Sequence, residues 1–438
     1  MLPVELTKQK IKDLRTKIEK KNSVFSKKRF LDSMFLPSKI IGRENESEIL
    51  LKHILSLKDG FVVPFVSVYG RSGSGKSTVV KFVCENLRDI ISFRFVNLRK
   101  AKTVFGCTNM ILSSLGDKSL SSAQGLNKAI DCIQEQIESI LKKENNKFFV
   151  LILDEYDVIF SDPRSNPSDF VYKLLQMEEN LREKGLWNCT ITISNNSLQE
   201  HDLDDRVKSR MGGASVAFAP YPQSDVFGIL QDRAKKAFKI KISKEVLEYC
   251  SQLSSSDHGD ARRALDFLRT AGEICNGTQI TKGDIDSAQK YLQKDKAQEI
   301  VSSATYHMRC VVASICSLAI VNEQSWAATS SIYKKYTEIV SKDDKPLSYR
   351  RISDLLVELE NSGLVVSRAY SRGRNGYGKE YKLKVSPELV GPEVNQEFYE
   401  SLIKRKVEID RNKEIQKTLQ SLDKKPNWYR YSNLLENL

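Results

Sequence analysis

No apolar run in this 438-residue chain approaches the ~18 residues that a helix needs to cross a bilayer, so nothing is expected to span a membrane. The first stretch, Met1 to Lys28, is rich in lysine and lacks the apolar core of a secretory signal. Eight cysteines are scattered from Cys84 to Cys316 and none forms C-x-x-C, which argues against zinc ribbons and a disulfide framework. Several fall within apolar helical pattern, so buried free thiols in a reducing compartment are expected. No internal repeat is present. Acidic residues are in deficit: Lys+Arg number 69 against 56 Asp+Glu, a net charge of +13. That balance favours a polyanionic partner, although ribosomal, membrane-surface and merely solvated basic proteins share it. With 40% hydrophobic and 29% charged residues, the composition is globular, and the length predicts two or three domains. The expected location is cytoplasmic.

The most informative stretch is Gly70-Arg71-Ser72-Gly73-Ser74-Gly75-Lys76-Ser77-Thr78, which fits G-x-x-x-x-G-K-[ST] without a mismatch. An apolar strand-like run, Val62 to Tyr69, precedes it, and the helix-like Val79-Val80-Lys81-Phe82-Val83-Cys84 follows. Strand, glycine-rich loop and helix are the context of a phosphate-binding loop. Backbone N–H groups of such a loop wrap a triphosphate at the positive end of the helix. Lys76 is expected on the β- and γ-phosphates and Ser77 on Mg²⁺, with ATP or ADP as the nucleotide.

Four further apolar runs read as buried strands, at residues 91–98, 148–153, 190–194 and 215–218, with helices between them such as 126–143 and 170–184. Alternation of this kind predicts a parallel, doubly wound sheet. The run Phe148-Phe149-Val150-Leu151-Ile152-Leu153 ends in Asp154-Glu155. Strand ends are where ligands sit in an open α/β sheet. Asp154 is therefore placed to bind Mg²⁺, directly or through water, and Glu155 to polarise the attacking water. Asn195 ends the next apolar strand, where an amide can orient water, though it is also an ordinary turn former. Gly259-Asp260-Ala261-Arg262-Arg263-Ala264 opens a helix in the mostly helical stretch 223–294, from which an arginine can reach back over the phosphates or simply face solvent.

The remainder divides differently. Residues 7–29 carry ten basic against two acidic side chains, with Ile11, Leu14, Ile18 and Val24 near helical spacing: a solvated basic helix or a nucleic-acid contact. From Ala297 onward, three helices (304–321, 332–340, 349–362) precede two short strands (364–370, 378–385), which is the winged helix-turn-helix pattern. The third helix opens with Ser348, Tyr349, Arg350 and Arg351, positions that enter a major groove in this motif. Arg372 and Arg374 flank Gly373 at the hairpin tip, suited to a minor groove. A solvated hairpin on a protein-docking domain is the other reading. The expected boundaries are a basic arm (1–35), a nucleotide-binding domain (36–222), a helical lid (223–296), a winged helix (297–390) and a charged tail (391–438).

These motifs come in an order that resembles the AAA+ initiators of the ORC-one/Cdc-six type, especially the archaeal ones, over residues 36–387. The resemblance implies an AAA+ parallel sheet with a helical lid, then an α+β winged helix. It makes Asn195 and Arg262 the two nucleotide sensors and places Tyr221 and Arg233 beside the nucleotide. Arg206-Val207-Lys208-Ser209-Arg210 is similar to the segment carrying the arginine finger that acts in trans, either Arg206 or Arg210. A family-specific insertion falls around 103–115, with Arg99, Lys100 and Lys102 nearby as a DNA-backbone contact. The implied function is slow, switch-like ATPase action in origin binding, with double-stranded origin DNA, the replicative helicase and further copies of the chain as partners. A P-loop transcription regulator with a winged helix, or an accessory to a helicase or clamp loader, are the alternatives.

Overall fold

The computed structural model describes residues 7–21, 24–162, 165–201, 203–256, 259–275, 279–340, 345–371 and 377–423. They belong to two compact units, Met1–Ile285 and Asp286–Leu438. The basic N-terminal stretch forms α1 (Lys8–Lys21). Beyond α2 (Glu44–Leu55), strands and helices alternate: β1 (Phe65–Gly70), α3 (Lys76–Glu85), β2 (Ser92–Asn97), α4 (Val104–Leu115), α5 (Gly125–Lys143), β3 (Phe148–Asp154), α6 (Pro167–Glu183), β4 (Trp187–Ser194), α7 (Asp205–Arg210) and β5 (Ala214–Phe218). The strands pair in parallel in the order β2-β3-β4-β1-β5.

Apolar residues on both faces of the central strands explain why the sheet is covered on both sides. Leu151 and Leu153 join one core with α4, α5 and α6, while Val150 and Ile152 join the other with α2 and α3. The segment expected as an insertion forms α4, with Val104, Cys107, Ile111, Leu112 and Leu115 buried in this core. Strand β4 begins three residues earlier than the apolar run suggests, because the Trp187 ring packs on Phe148 with centroids 5.4 Å apart. With β4 central between β3 and β1, the C-terminal ends of β1, β3 and β4 come together at one end of the sheet, which is where the site lies.

The same unit continues into α8 (Gln223–Ala237), α9 (Lys244–Ser256) and α10 (Ala261–Ile274), whose buried Val226, Leu230, Ala234, Leu265 and Leu268 form the lid core. The N-terminal chain clasps this lid. The helical stripe expected through Val24 stops at Lys21, and Val24 and Phe25 are instead buried. Phe25 bridges to Phe238 with rings stacked at 4.9 Å, and both lie against Gly272, where a Cβ would come within 2.6 Å of the Phe25 ring.

Helix α11 (Lys282–Ser303) spans the boundary between the units. The second unit comprises α12 (Tyr306–Val321), β6 (Ala327–Ala328), α13 (Thr329–Ile339), α14 (Tyr349–Asn361), β7 (Val365–Ser371), β8 (Tyr377–Leu383), α15 (Pro387–Val394) and α16 (Gln396–Asp423). Its antiparallel sheet runs β6-β8-β7, a winged helix with one more strand than the sequence pattern predicts. The charged tail begins as the 28-residue α16, which buries Leu402 against Ile320 and Val321. All eight cysteines are buried and none is joined in a disulfide, and burial pushes the Cys189 and Cys250 thiols up to about 12. Among the described residues no helix is long and apolar enough to cross a membrane.

Candidate nucleotide and nucleic-acid sites

The chain leaves β1 at Gly70 and turns through Gly73 (φ +77°) and Gly75 (φ +94°) into α3. Both glycines sit in the left-handed region that disfavours side chains. A Cβ on Gly73 would strike the Asp260 carboxylate, and one on Gly75 the Tyr221 hydroxyl. The loop is therefore pressed directly against the lid. Lys76, the first residue of α3, is only 8% exposed and donates from Nζ to the carbonyls of Gly70 (2.5 Å) and Arg71 (3.0 Å). Burial draws its pKa down, while the carboxylates of Asp154, Glu155 and Asp157 pull it back up.

Strand β3 delivers Asp154 beside this loop. Its Oδ1 accepts a hydrogen bond from the Ser77 hydroxyl at 3.1 Å, and its Oδ2 accepts one from the Asn97 amide at 3.1 Å. Asn97, at the end of β2, thus orients the carboxylate, a role that no local pattern announces. Glu155 follows with φ +56°, a left-handed conformation that is strained for a non-glycine residue and concentrates at functional sites. Asn195 is exposed at the end of β4, and its backbone N–H donates to Asp157 Oδ2 at 2.8 Å. The loop from Ser72 to Thr78, Asp154, Glu155, Asn195 and Arg262 line one polar hollow. Arg262 arrives there because Asp260 caps α10 by accepting the Arg263 N–H at 3.1 Å, and the Ala261 N–H reaches the Gly73 carbonyl at 3.4 Å.

Among the described residues no cluster of three His, Cys, Asp or Glu side chains could hold a metal unaided. The Ser77–Asp154 pair instead suits a cation that brings its own oxygen ligands, as Mg²⁺ on a polyphosphate does. Ser74 Oγ is buried without a hydrogen-bond partner among the described residues, a polar atom left for a ligand or water.

A second hollow shares Gly73, Gly75, Thr78 and Arg262 with the first but is lined by Ile40, Ile41, Ile229, Leu265 and Tyr221. One end of the cleft is suited to phosphates and the other to a flat apolar base. Tyr221 and Arg233 both line this second end. The guanidinium of Arg233, however, donates to the carbonyls of Phe30 (3.3 Å) and Phe35 (3.1 Å) and so anchors the N-terminal chain along the cleft. Arg43 is a site residue that sequence reasoning missed. Its buried guanidinium stacks 3.9 Å from the Tyr221 ring and donates to the carbonyls of Ser74 (3.1 Å) and Ala219 (2.5 Å), tying the phosphate loop to the start of the lid.

Neither arginine of α7 lines this cleft. Arg210 is exposed, 3.7 Å from Glu179 and over the Tyr172 ring, and Arg206 is exposed with no ion pair among the described residues. Arg99, Lys100 and Lys102 are exposed ahead of α4.

In the second unit, Ser348 caps α14 by accepting the Arg351 N–H at 3.3 Å, so Tyr349, Arg350 and Arg351 stand exposed on the first turn. Ile352, Leu355, Leu356 and Leu359 bury the other face. Part of the hairpin's basic charge is internally neutralised: Arg368 pairs with Glu380 at 2.7 Å and stacks over Trp326, and Lys379 lies 3.9 Å from Glu360. Arg372 and Arg374 lie outside the described residues.

Three family profiles match the chain: "ATPase family associated with various cellular activities (AAA)" over residues 66–213, "Cdc6 AAA+ ATPase-type lid domain" over 227–290, and "CDC6, C terminal winged helix domain" over 299–391. An ORC1-type DNA replication protein 1 of Sulfolobus acidocaldarius is 30% identical over 384 residues, covering 85% of this chain and 93% of that protein. One from Thermococcus kodakarensis is 28% identical over 379 residues, covering 84% and 90%. Among solved structures, Aeropyrum pernix ORC1 in complex with DNA superposes with a TM-score of 0.70 at 25% identity, covering 87% of this chain and 99% of that one.

Proposed function

The chain belongs to the family of ORC1-type DNA replication proteins, and from that premise we propose that it is an ATP-dependent initiator that binds origin DNA and helps recruit the replicative helicase. The observation that carries the reading is the convergence of Lys76, Asp154, Glu155, Asn195 and Arg262 on one hollow. The same chain adds a winged helix with exposed arginines on its recognition helix. Lys76 and the loop backbone hold the β- and γ-phosphates of ATP. Ser77 and Asp154 hold Mg²⁺, which neutralises phosphate charge when bound. Glu155 takes the proton of the attacking water, whose direction Asn195 fixes. Arg262, carried on the lid, distinguishes ATP from ADP and changes the lid's position accordingly. Arg206 or Arg210, both absent from the chain's own cleft, serves a neighbouring copy as an arginine finger in an assembly on DNA. The protein works as a slow switch in the cytoplasm, on the nucleoid.

Ser348, Tyr349, Arg350 and Arg351 occupy a major groove, the hairpin tip with Arg372 and Arg374 a minor groove, and Arg99, Lys100 and Lys102 the backbone. Aeropyrum pernix ORC1 was solved in complex with DNA, which supports DNA as the partner. Titration of an origin fragment and a scrambled fragment at several salt concentrations tests it. Replacing both Arg372 and Arg374 with alanine is expected to weaken binding to both fragments. The log–log salt slope should flatten by roughly 0.9 for each phosphate that the variant no longer neutralises. Arg350→Ala is expected to erode discrimination between the fragments by ~1–3 kcal/mol. Unchanged affinity and slope in the double variant would make the winged helix a protein-docking module.

A further inference from the structure

Asp157 follows the Asp154-Glu155 pair and belongs to no motif used above, yet it joins the ends of two strands. Its Oδ2 accepts the backbone N–H of Asn195 at 2.8 Å, which links the loop after β3 to the loop after β4. Its Oδ1 has no hydrogen-bond partner among the described residues and faces His201 Nε2 at 3.5 Å. The His201 ring lies flat on Phe160, with centroids 3.8 Å apart and planes 2° from parallel. Phe160 belongs to the same helical turn, Tyr156–Ser161, that begins one residue before Asp157. The His201 ring, stacked on Phe160 of the carboxylate's own turn, thus lies beside Asp157 without a hydrogen bond to it among the described residues, while the other carboxylate oxygen holds Asn195.

We infer that Asp157 is a positioning residue for hydrolysis: it acts through Asn195, fixing the height of that residue's amide relative to Glu155 and Lys76. The physical need is clear. Asn195 is exposed, and it follows the last residue of β4, so the sheet ladder that ends at Ser194 no longer holds it. Without a tether, an amide on an exposed strand end samples several directions, and the water it orients loses alignment with Glu155. A misplacement of about 1 Å is enough to cost roughly 100-fold in rate. Nucleotide affinity rests on other groups, namely the loop backbone and Lys76, so it is expected to stay.

This inference rests on the ATPase reading, and the experiment separates the two. Single-turnover ATP hydrolysis and ATP affinity by calorimetry are measured for the full-length wild type, Asp157→Ala, Asp157→Asn, Asn195→Ala and the Asp157→Ala/Asn195→Ala double variant. Asp157→Ala is expected to slow hydrolysis roughly 30- to 100-fold with affinity within about threefold of wild type. Asp157→Asn retains one carbonyl oxygen that can turn to accept the Asn195 N–H in place of Oδ2 and is expected to recover most of the rate, which a general loss of folding would not allow. The double variant is expected to be no slower than Asn195→Ala alone, because both changes remove one function. A wild type without hydrolysis rejects the ATPase reading and the positioning role with it. A hydrolysing wild type overturns the positioning role alone if Asp157→Ala matches it, if Asp157→Asn is as slow as Asp157→Ala, or if the two losses multiply.

Discussion

Lys76→Ala is expected to lower ATP affinity by roughly 30-fold or more, the largest binding effect of any single change in the cleft. Truncating one partner of a buried charge pair costs about 2–5 kcal/mol, and each ~1.4 kcal/mol is tenfold in affinity. The side chain is already positioned for this work. Two loop carbonyls hold its Nζ at 2.5 and 3.0 Å, at the N-terminus of α3. Burial depresses its pKa, and the three carboxylates of Asp154, Glu155 and Asp157 offset that pull. Arg262 lines the same hollow but is mounted on the lid, so it cannot take over at the loop. Calorimetry with ATP and with ADP measures the effect. An affinity within threefold of wild type would remove Lys76 from the phosphates.

Glu155→Gln is expected to separate binding from turnover. General acid–base catalysis contributes about 10²–10⁴-fold, so hydrolysis should fall by that range while ATP binds as tightly as before. The Ser77–Asp154 contact, where Mg²⁺ is proposed to bind, involves only the backbone N–H of Glu155, 3.1 Å from the same Asp154 Oδ1, and not its side chain. Its backbone, at φ +56°, is as accessible to glutamine as to glutamate, so the fold is expected to be retained. Rapid-quench measurement of bound ATP over time provides the check. Wild-type turnover in the variant would assign the base to another group.

What is legible in the sequence is what is local. The Gly70–Thr78 loop and the Asp154-Glu155 pair announce themselves within a few residues, because strand and helix periodicities frame them, whereas Asn195 and Arg262 read equally as a turn former and a solvent-facing side chain and take their roles only from the family resemblance. Their convergence follows from the rule that parallel strands present their C-terminal ends together. What stays hidden depends on single long-range contacts, which leave no periodic trace. Arg43 reaches partners 31 and 176 residues away, and Asn97 reaches Asp154 across 57 residues. Lysines dominate the composition of the N-terminal chain, so the sequence suggests a free basic arm. Yet Phe25 and Leu31 are buried, and the backbones of Phe30 and Phe35 are bound by Arg233, beside the cleft. Strand β6 is two residues long, too short for any alternation to register. The segment 103–115, which the resemblance marks as a family-specific insertion, contributes its own apolar residues to the core as α4.

The measurement that bears most directly on the function is a map of where the protein sits on the chromosome of its own cell, taken alongside a map of where replication starts. The initiator account predicts sharp occupancy at one or a few positions that coincide with replication start points, lost when Lys76 is replaced if ATP governs the bound state. Occupancy spread over many promoters, with none at the start points, would contradict it and identify the winged helix as the reader of a transcription regulator.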